Sequence, residues 1–254
     1  MDVGFLTDNG KMRSHNEDAF FVSKKNDLFI VADGVGGQNA GEIASRMAAS
    51  QVAEYIAENM DSEKSEASYI FGCITDGLDQ VNQNIYERSK EDASCFRMAT
   101  TIVLMYLTGS VAYFANLGDS RAYLMRNQSL IQITEDHTLV NKYIKEGKFT
   151  KEQMEGYPDA SMLAKWSHTI TKALGDAAEL EADYFIVEVL PGDMFLLCSD
   201  GLYGEVSDEK IAQIILEKQT AQHACEKLIL SANENGGGDN ITVILVRNGE
   251  MNHE

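Results

Sequence analysis

The sequence predicts an α+β protein with four layers, an αββα sandwich in which two packed antiparallel sheets are flanked by helix pairs. Three observations support this prediction. The 254-residue chain contains about nine or ten short apolar stretches of strand length. Longer stretches with helical spacing occur as two pairs, one after the third strand and one before the last. One helix pair on each sheet would bury the apolar face of every element.

The elements follow from this spacing in chain order. The stretch 65–89 places Ile70, Ile74 and Leu78 on one helix face. Ser207 has the character of an N-cap. Short connections within 99–134 predict an antiparallel meander. Strands are expected at 2–7, 18–23, 28–33, 99–108, 111–117, 121–126, 130–134, 184–189, 194–199 and 241–247, and helices at 40–58, 65–89, 207–218 and 221–232.

The stretch 138–168 breaks the pattern and is expected to form a flap over one end of the domain. It is polar and contains one short helical piece at 139–145. The part from Tyr157 to Trp166 is aromatic and is expected to be irregular. With two prolines and no Pro-rich linker, residues 1–254 are expected to form a single domain.

The charge balance excludes several partners. Asp plus Glu number 40 and Lys plus Arg 21, which gives a net charge of −19. Such a field repels nucleic acid and anionic membranes, and it repels phosphorylated substrates unless bound cations reverse the sign locally. Four spaced cysteines, without a C-x-x-C pair, indicate a reducing compartment. We expect a cytoplasmic monomer, with no signal peptide and no membrane span.

Three aspartates stand at glycine-softened ends of apolar strands. They are Asp33 in Val-Ala-Asp-Gly, Asp200 in Cys-Ser-Asp-Gly and Asp239 in Gly-Gly-Gly-Asp. Hard divalent cations take oxygen ligands, so the three predict a shared Mg²⁺ or Mn²⁺ site. The alternative is three ordinary turn aspartates, because Asp-Gly is a common turn pair.

Two further clusters are candidates beside this site. The loop 13–18 carries Arg13, suited to phosphate oxygens, and ends in Glu17 and Asp18. A fourth strand end carries Asp119 after Gly118. Each cluster alone also fits a plain polar loop or turn.

Other chemistries are less well supported. A dinucleotide-binding G-x-G-x-x-G would need glycine at 39, where Asn39 stands. Cys198 lacks an activating environment and is expected in the core. His137 and His168 lie next to the flap and are candidate acids, although ordinary loop histidines account for them better.

The clusters together, in this order, resemble the metal-dependent protein phosphatase family, protein phosphatase 2C, in its bacterial form. The resemblance runs from residue 7 to 242 and covers essentially the whole chain. The matching motifs are Thr7-Asp8 with Gly10, R-x-x-N-E-D at 13–18, V-A-D-G-x-G-G at 31–37, Gly41, Ala99-Thr100-Thr101, N-x-G-D-S-R at 116–121, Asp136-His137-Thr138, I-T-K-A-L-G at 170–175, Ser199-Asp200-Gly201 and G-D-N-I-T at 238–242.

The resemblance implies a role for each candidate residue. Asp33 would bridge two metal ions, and Gly34 would offer its carbonyl to one of them. Asp200 and Asp239 would ligate the first ion, and Asp119 with Asp200 would hold a third. Glu17 and Asp18 would act through metal-bound water. Arg13 would hold the substrate phosphate.

The implied activity is hydrolysis of phosphoserine and phosphothreonine in proteins by a metal-bridging hydroxide, opposing a bacterial Ser/Thr kinase. Many eukaryotic members carry histidine where this chain has Val35, which leaves the proton donor open between metal-bound water and His137. Two rivals remain: a metal-binding pseudophosphatase that only recruits partners, and a metal-dependent nuclease or phosphodiesterase. The acidic charge disfavours the latter.

Overall fold

The computed structural model describes residues 1–25, 27–35 and 40–249. In this part of the chain, eleven strands form two sheets. The strands are Asp2–Asp8 (β1), Asp18–Val22 (β2), Leu28–Val35 (β3), Ala99–Thr100 (β4), Ile102–Thr108 (β5), Val111–Leu117 (β6), Arg121–Arg126 (β7), Ser129–Gln132 (β8), Asp183–Glu188 (β9), Met194–Cys198 (β10) and Ile241–Arg247 (β11).

Eight α-helices and one 3₁₀ turn accompany these strands in the described residues. None of these helices is long and apolar enough to cross a bilayer. Ser207 accepts a hydrogen bond from the Lys210 N–H, as expected of an N-cap. The helices are Gly41–Asn59 (α1), Ala67–Glu91 (α2), Leu139–Lys145 (α3), Lys151–Glu155 (α4), Ala160–Ser167 (α5), Asp200–Tyr203 (α6), Asp208–Leu216 (α7) and Ala221–Asn235 (α8), and the 3₁₀ turn is Ala93–Cys95.

Both sheets are antiparallel. One has the order β1-β11-β10-β7-β8, and the other has the order β2-β3-β5-β6-β9 with β4 added beside β3. The register of β2 and β3 places Asp18 opposite Asp33. Central strands such as β11 are buried along their whole length, which explains why they are continuously apolar in the sequence.

Three apolar cores confirm the four-layer αββα sandwich. Helices α1 and α2 cover the six-stranded sheet, and small residues such as Ala44 and Ala48 let α1 approach it closely. Helices α7 and α8 cover the five-stranded sheet. Between the sheets, Phe114 and Phe195 pack with ring centroids 5.8 Å apart. The strand ends from both sheets meet beside this inner core.

The predicted meander over 99–134 is wrong. Strands β5 and β6 pair in one sheet, whereas β7 and β8 pair in the other. Between β6 and β7 the chain turns at Gly118, whose φ of +99° favours glycine, and crosses to the opposite sheet. The short connection here therefore joins the two sheets. Strand spacing in the sequence cannot distinguish such a crossing from a hairpin within one sheet.

The flap is more helical than predicted. The helix at 139–145 is confirmed as α3, but α4 and α5 were not predicted, and α5 lies in the stretch expected to be irregular. Thr150 and Gln153 form a capping box at α4. The aromatic side chains pack together through the ring pairs Tyr143–Trp166, Phe149–Tyr157 and Tyr157–Trp166. This small cluster supplies an apolar centre for helices too short to be stable alone.

Candidate functional site

The central residue of the candidate site, Asp33, lies near the end of β3 and has a fixed backbone. Its N–H donates to the Thr101 hydroxyl oxygen at 2.9 Å. Its carbonyl accepts from the Thr101 N–H at 2.9 Å and from the Thr100 hydroxyl at 2.8 Å. The two threonines therefore hold the carboxylate-bearing strand end in place through the backbone, leaving the side chain available.

Asp18 joins the two sheets. From β2 its Oδ2 accepts hydrogen bonds from the hydroxyls of Ser199 and Thr242, each at 2.7 Å. Those two residues belong to the end of β10 and to β11 in the opposite sheet. The other oxygen of Asp18, Oδ1, is buried and has no hydrogen-bond partner among the residues that the structure describes.

The loop that carries Arg13 is held against the start of β11 by Asn240. The Asn240 amide donates to the carbonyls of Asn9 and His15, each at 2.9 Å, and its oxygen accepts from the Glu17 N–H at 2.8 Å. This clamp brings Arg13 to Asp239, where Nη2 donates to Oδ2 at 2.7 Å. Both side chains remain solvent-accessible, so the guanidinium lies at the open edge of the site.

Gly34 and Gly41 let two backbone segments approach Glu17. A Cβ on Gly34 would lie 2.2 Å from the Gly41 carbonyl oxygen, and one on Gly41 would lie 2.2 Å from Oε2 of Glu17. Burial, followed by the charge of Glu42, raises the pKa of Glu17. Gly36, Gly37 and Asn39 of the same glycine-rich stretch lie outside the described residues.

Asp119 and Asp200 complete the group. Asp119 is buried just after β6, and its carbonyl accepts from the Tyr203 hydroxyl at 2.9 Å. Asp200 is the first residue of the short helix α6. Like Asp18, each has a buried Oδ1 that no described residue contacts through a hydrogen bond.

The carboxylates act on one another electrostatically. Burial and the charges of Asp18, Asp200, Asp119 and Asp239 raise the pKa of Asp33 well above its usual range. Burial raises the pKa of Asp18 to about 7, against the lowering effect of its two hydroxyl partners. Burial and the charge of Asp200 raise the pKa of Asp119 to about 7. Such a cluster favours a bound cation.

The donor set fits a hard divalent cation. It consists of oxygens, and three of them are buried without a hydrogen-bond partner in residues 1–25, 27–35 and 40–249. In the described part of the chain, no group of three or more His, Cys, Asp or Glu side chains meets the geometry of an assembled metal site. Arg13 and the hydroxyls of Ser199 and Thr242 engage two of the carboxylates, so these side chains would have to turn to share a cation.

Of the two candidate histidines, His137 makes contacts that hold neighbouring segments of the chain together. Its Nδ1 accepts from the Gly118 N–H at 3.0 Å, and its Nε2 lies 3.2 Å from Oδ2 of Asp183. Burial lowers the pKa of His137. Next to it, Arg121 forms a bidentate pair with Asp136 and fixes the base of the flap.

His168 lies closer to the carboxylates than the sequence indicated. Its Nδ1 is 3.9 Å from Oδ2 of Asp200, at the end of the flap helix α5. The sequence offers no signal for this contact, because the two residues are brought together only by the path of the flap. Ser199 and Thr242 were noted in motifs without a role, and the structure assigns them the hydrogen bonds to Asp18.

Comparisons with known proteins cover almost the whole chain. Residues 9–234 match the family protein phosphatase 2C. The serine/threonine phosphatase stp of Listeria monocytogenes serotype 4b (strain F2365) is 36% identical over 249 residues, covering 97% of this chain and 95% of its own. The structure of the S. agalactiae serine/threonine phosphatase is 34% identical with a TM-score of 0.84, covering 98% of this chain and 99% of that one. The catalytic domain of the phosphatase PstP, in complex with two manganese ions, has a TM-score of 0.78 at 30% identity, covering 96% of each chain.

Proposed function

The chain belongs to the protein phosphatase 2C family and is a serine/threonine protein phosphatase, and on this premise we propose which of its residues carry the reaction. The family is metal-dependent, and Asp33, Asp200 and Asp239 would hold the two core cations, Mn²⁺ or Mg²⁺. Asp33 would bridge them, and Gly34 would contribute its carbonyl. The supporting observation is the convergence of carboxylates from both sheets, in which Asp18, Asp119 and Asp200 each have a buried oxygen without a hydrogen-bond partner among the described residues.

The remaining acids have supporting positions. Asp119 and Asp200 would share a third cation, because each has a buried oxygen without a hydrogen-bond partner in the described part of the chain. Glu17 and Asp18 would act through water that the cations order. Asp18 is already fixed by two hydroxyls, which leaves only its Oδ1 for this role.

The cations, when bound, supply a water of lowered pKa as the nucleophile that attacks phosphorus. Arg13 binds the phosphate oxygens, and its guanidinium offsets the charge that develops on them. Its hydrogen bond to Asp239 places it at the edge of the carboxylate cluster. Val35 cannot donate a proton to the leaving serine or threonine oxygen, so that proton comes from water in the site.

The same proposal includes the domain organisation, oligomeric state, substrates and compartment of the enzyme. Residues 1–254 would act as one catalytic domain with the flap at 138–168, as a monomer, on proteins phosphorylated by a cognate Ser/Thr kinase. The four cysteines are free and buried, which fits work in a reducing bacterial cytoplasm.

The first experiment measures hydrolysis of a phosphothreonine peptide and of p-nitrophenyl phosphate in Mn²⁺, and again after complete chelation with EDTA. We expect activity with Mn²⁺ and its loss on chelation. Activity that survives chelation would contradict the metal mechanism. Hydrolysis of phosphodiesters but not phosphomonoesters would instead support the nuclease or phosphodiesterase alternative.

The second experiment replaces one proposed ligand. Asp239→Asn should reduce kcat at least about 100-fold, since a metal ligand and the contact to Arg13 are both altered, while the circular dichroism spectrum is retained. Asp79→Asn makes the same charge change on the exposed face of α2 and should leave kcat unchanged. Wild-type turnover in Asp239→Asn would remove Asp239 from the site.

A further inference from the structure

Arg97 has a backbone conformation that long side chains rarely adopt. Its φ is +58°, and among the described residues only Asn127 and Gln128 are also non-glycine residues with positive φ. Those two form the turn between β7 and β8, where a two-residue hairpin requires positive φ. Arg97 is in no such hairpin. It occupies instead the third position of a type II β-turn over residues 95–98, where Phe96 has φ −56° and ψ 122° and the Met98 N–H donates to the Cys95 carbonyl. This position favours glycine, so an arginine there directs attention to its side chain.

The segment around Arg97 is anchored so that two side chains are displayed to solvent. Cys95 and Met98 are fully buried, and the Met98 N–H donates to the Cys95 carbonyl at 3.0 Å. Asp92 caps the preceding 3₁₀ turn by accepting from the Ser94 N–H at 2.9 Å. Between these anchors, Phe96 is 65% exposed and Arg97 is exposed.

Arg97 lines a cavity beside the carboxylate cluster. The cavity has a volume of about 310 Å³, and its wall includes Val35 and His168. Val35 directly follows Gly34 in β3, and His168 lies 3.9 Å from a carboxylate oxygen of Asp200. A peptide whose phosphorylated residue reaches the cluster would therefore place neighbouring residues at this cavity.

The cationic groups of the cavity are not equally available. Lys172 also lines it, but its Nζ is 3.0 Å from both Oδ1 of Asp183 and the Glu181 carbonyl oxygen. Arg97 forms no ion pair and no side-chain hydrogen bond with another described residue. Asp176 also lies in the wall, and its carboxylate disfavours the binding of an anion next to it. Among the described residues that line the cavity, Arg97 is thus the arginine or lysine whose donors remain open, in a chain of net charge −19.

We propose that Arg97, displayed beside Phe96 at the cavity next to the carboxylate cluster, binds an anionic side chain of the phosphorylated substrate. The anion is the carboxylate of Asp or Glu, or a second phosphate, near the scissile phosphothreonine. The guanidinium fork can accept either group in a bidentate contact. Phe96 provides an apolar contact for the adjoining peptide. This subsite deepens the proposed function and depends on it.

The test uses a phosphothreonine peptide with alanine at the three positions on each side. In separate peptides, one of these positions carries aspartate or phosphoserine, and the aspartate and phosphoserine arms distinguish the two sources of the anion. We expect the best anionic peptide to exceed the alanine peptide by about three- to ten-fold in kcat/KM at low salt. The difference should lie mainly in KM, because the contact is away from the reacting phosphorus. It should shrink at high salt.

Variants of Arg97 test whether this residue causes the preference for anionic peptides. Arg97→Gly, which suits the observed φ, should bring the ratio of kcat/KM values close to one, and Arg97→Glu should invert it. Arg97→Lys should retain part of it, because it keeps the charge but loses the fork. Lys218→Glu, an exposed charge reversal between α7 and α8, is the matched control and should keep the wild-type ratio.

The outcomes separate the subsite from the proposed function. An active wild type that shows no preference for anionic peptides, or a preference that Arg97→Gly and Arg97→Glu both leave intact, overturns the subsite alone. A wild type that hydrolyses neither p-nitrophenyl phosphate nor any peptide with Mn²⁺ overturns the proposed function.

Discussion

At the residue scale, the left-handed backbone conformation of Arg97 lowers the stability of the fold. A left-handed backbone conformation costs a residue with a Cβ about 1–2 kcal/mol. Glycine adopts this conformation freely, but its greater flexibility stabilises the unfolded chain by about 0.4–1 kcal/mol. We expect Arg97→Gly to unfold with a free energy about 0.5–1 kcal/mol higher than Arg97→Ala, measured by urea denaturation. Both variants lack the guanidinium, so their difference isolates the backbone. An alanine variant as stable as the glycine variant would contradict the strain.

Three aspartates of the candidate site could be singled out at this scale, but the hydrogen-bond partners of their neighbour Asp18 could not. Asp33 and Asp200 follow an apolar run, Asp239 shortly precedes one, and each stands beside glycine, which is a local pattern. The hydrogen bonds that fix Asp18 come from Ser199 and Thr242, which are 181 and 224 residues away in sequence. Strand order decides such contacts, and no local pattern contains it.

At the scale of elements, the turn from β9 into β10 depends on one buried ion pair. Asp193 is 2% exposed, and its Oδ2 accepts from Arg126 at 2.6 Å and from the Leu190 N–H at 2.7 Å. Arg126 reaches it from β7, the strand that pairs with β10. Burial acts to raise the pKa of Asp193, but these hydrogen bonds outweigh it and hold the pKa below its usual value.

The direction of this shift predicts how stability depends on pH. A carboxylate with a lowered pKa in the folded state stabilises the fold above its unfolded pKa of about 4, and this contribution is lost as the pH falls through the folded value. Asp193→Asn should therefore lose about 2–3 kcal/mol of unfolding free energy at pH 7. The gap to wild type should narrow below about pH 4 in urea titrations. A gap that stays constant down to pH 3 would contradict the ion pair.

Most helices and strands could be located from the sequence, but the layer of the sandwich that each one joins could be predicted only in part. Apolar runs and periodicity located β1 to β3, α1, α2, α7 and α8, and of these β3 and the four helices have a long buried face. It missed α4 and α5 in the flap, which are short and contain few buried residues. Their stability comes from the aromatic contacts among Tyr143, Phe149, Tyr157 and Trp166, which are contacts between elements.

At the scale of the whole molecule, the site lies where the two sheets meet. The inner core joins the sheets through apolar side chains such as Phe114 and Phe195. Beyond its edge, Asp18 and Asp33 come from one sheet, and Asp200 and Asp239 border strands of the other. Like charges collected at this junction oppose the packing of the sheets, so the binding of cations there should stabilise the entire fold.

This coupling predicts the thermal behaviour of an Asp33 variant. A cation that binds only the folded state at 100 times its Kd adds about 2.7 kcal/mol to the unfolding free energy, so wild type should melt several degrees higher in Mn²⁺ than in EDTA. Asp33→Asn should melt in EDTA at or above the wild-type temperature, because a buried like charge is removed, and should lose the Mn²⁺ increment. Asp79→Asn, with the same charge change on exposed α2, should keep the increment. Scanning calorimetry of the three proteins measures this without any substrate. If Asp33→Asn gains as much from Mn²⁺ as wild type, the stabilising cations bind elsewhere on the acidic surface, and Asp33 does not bridge them.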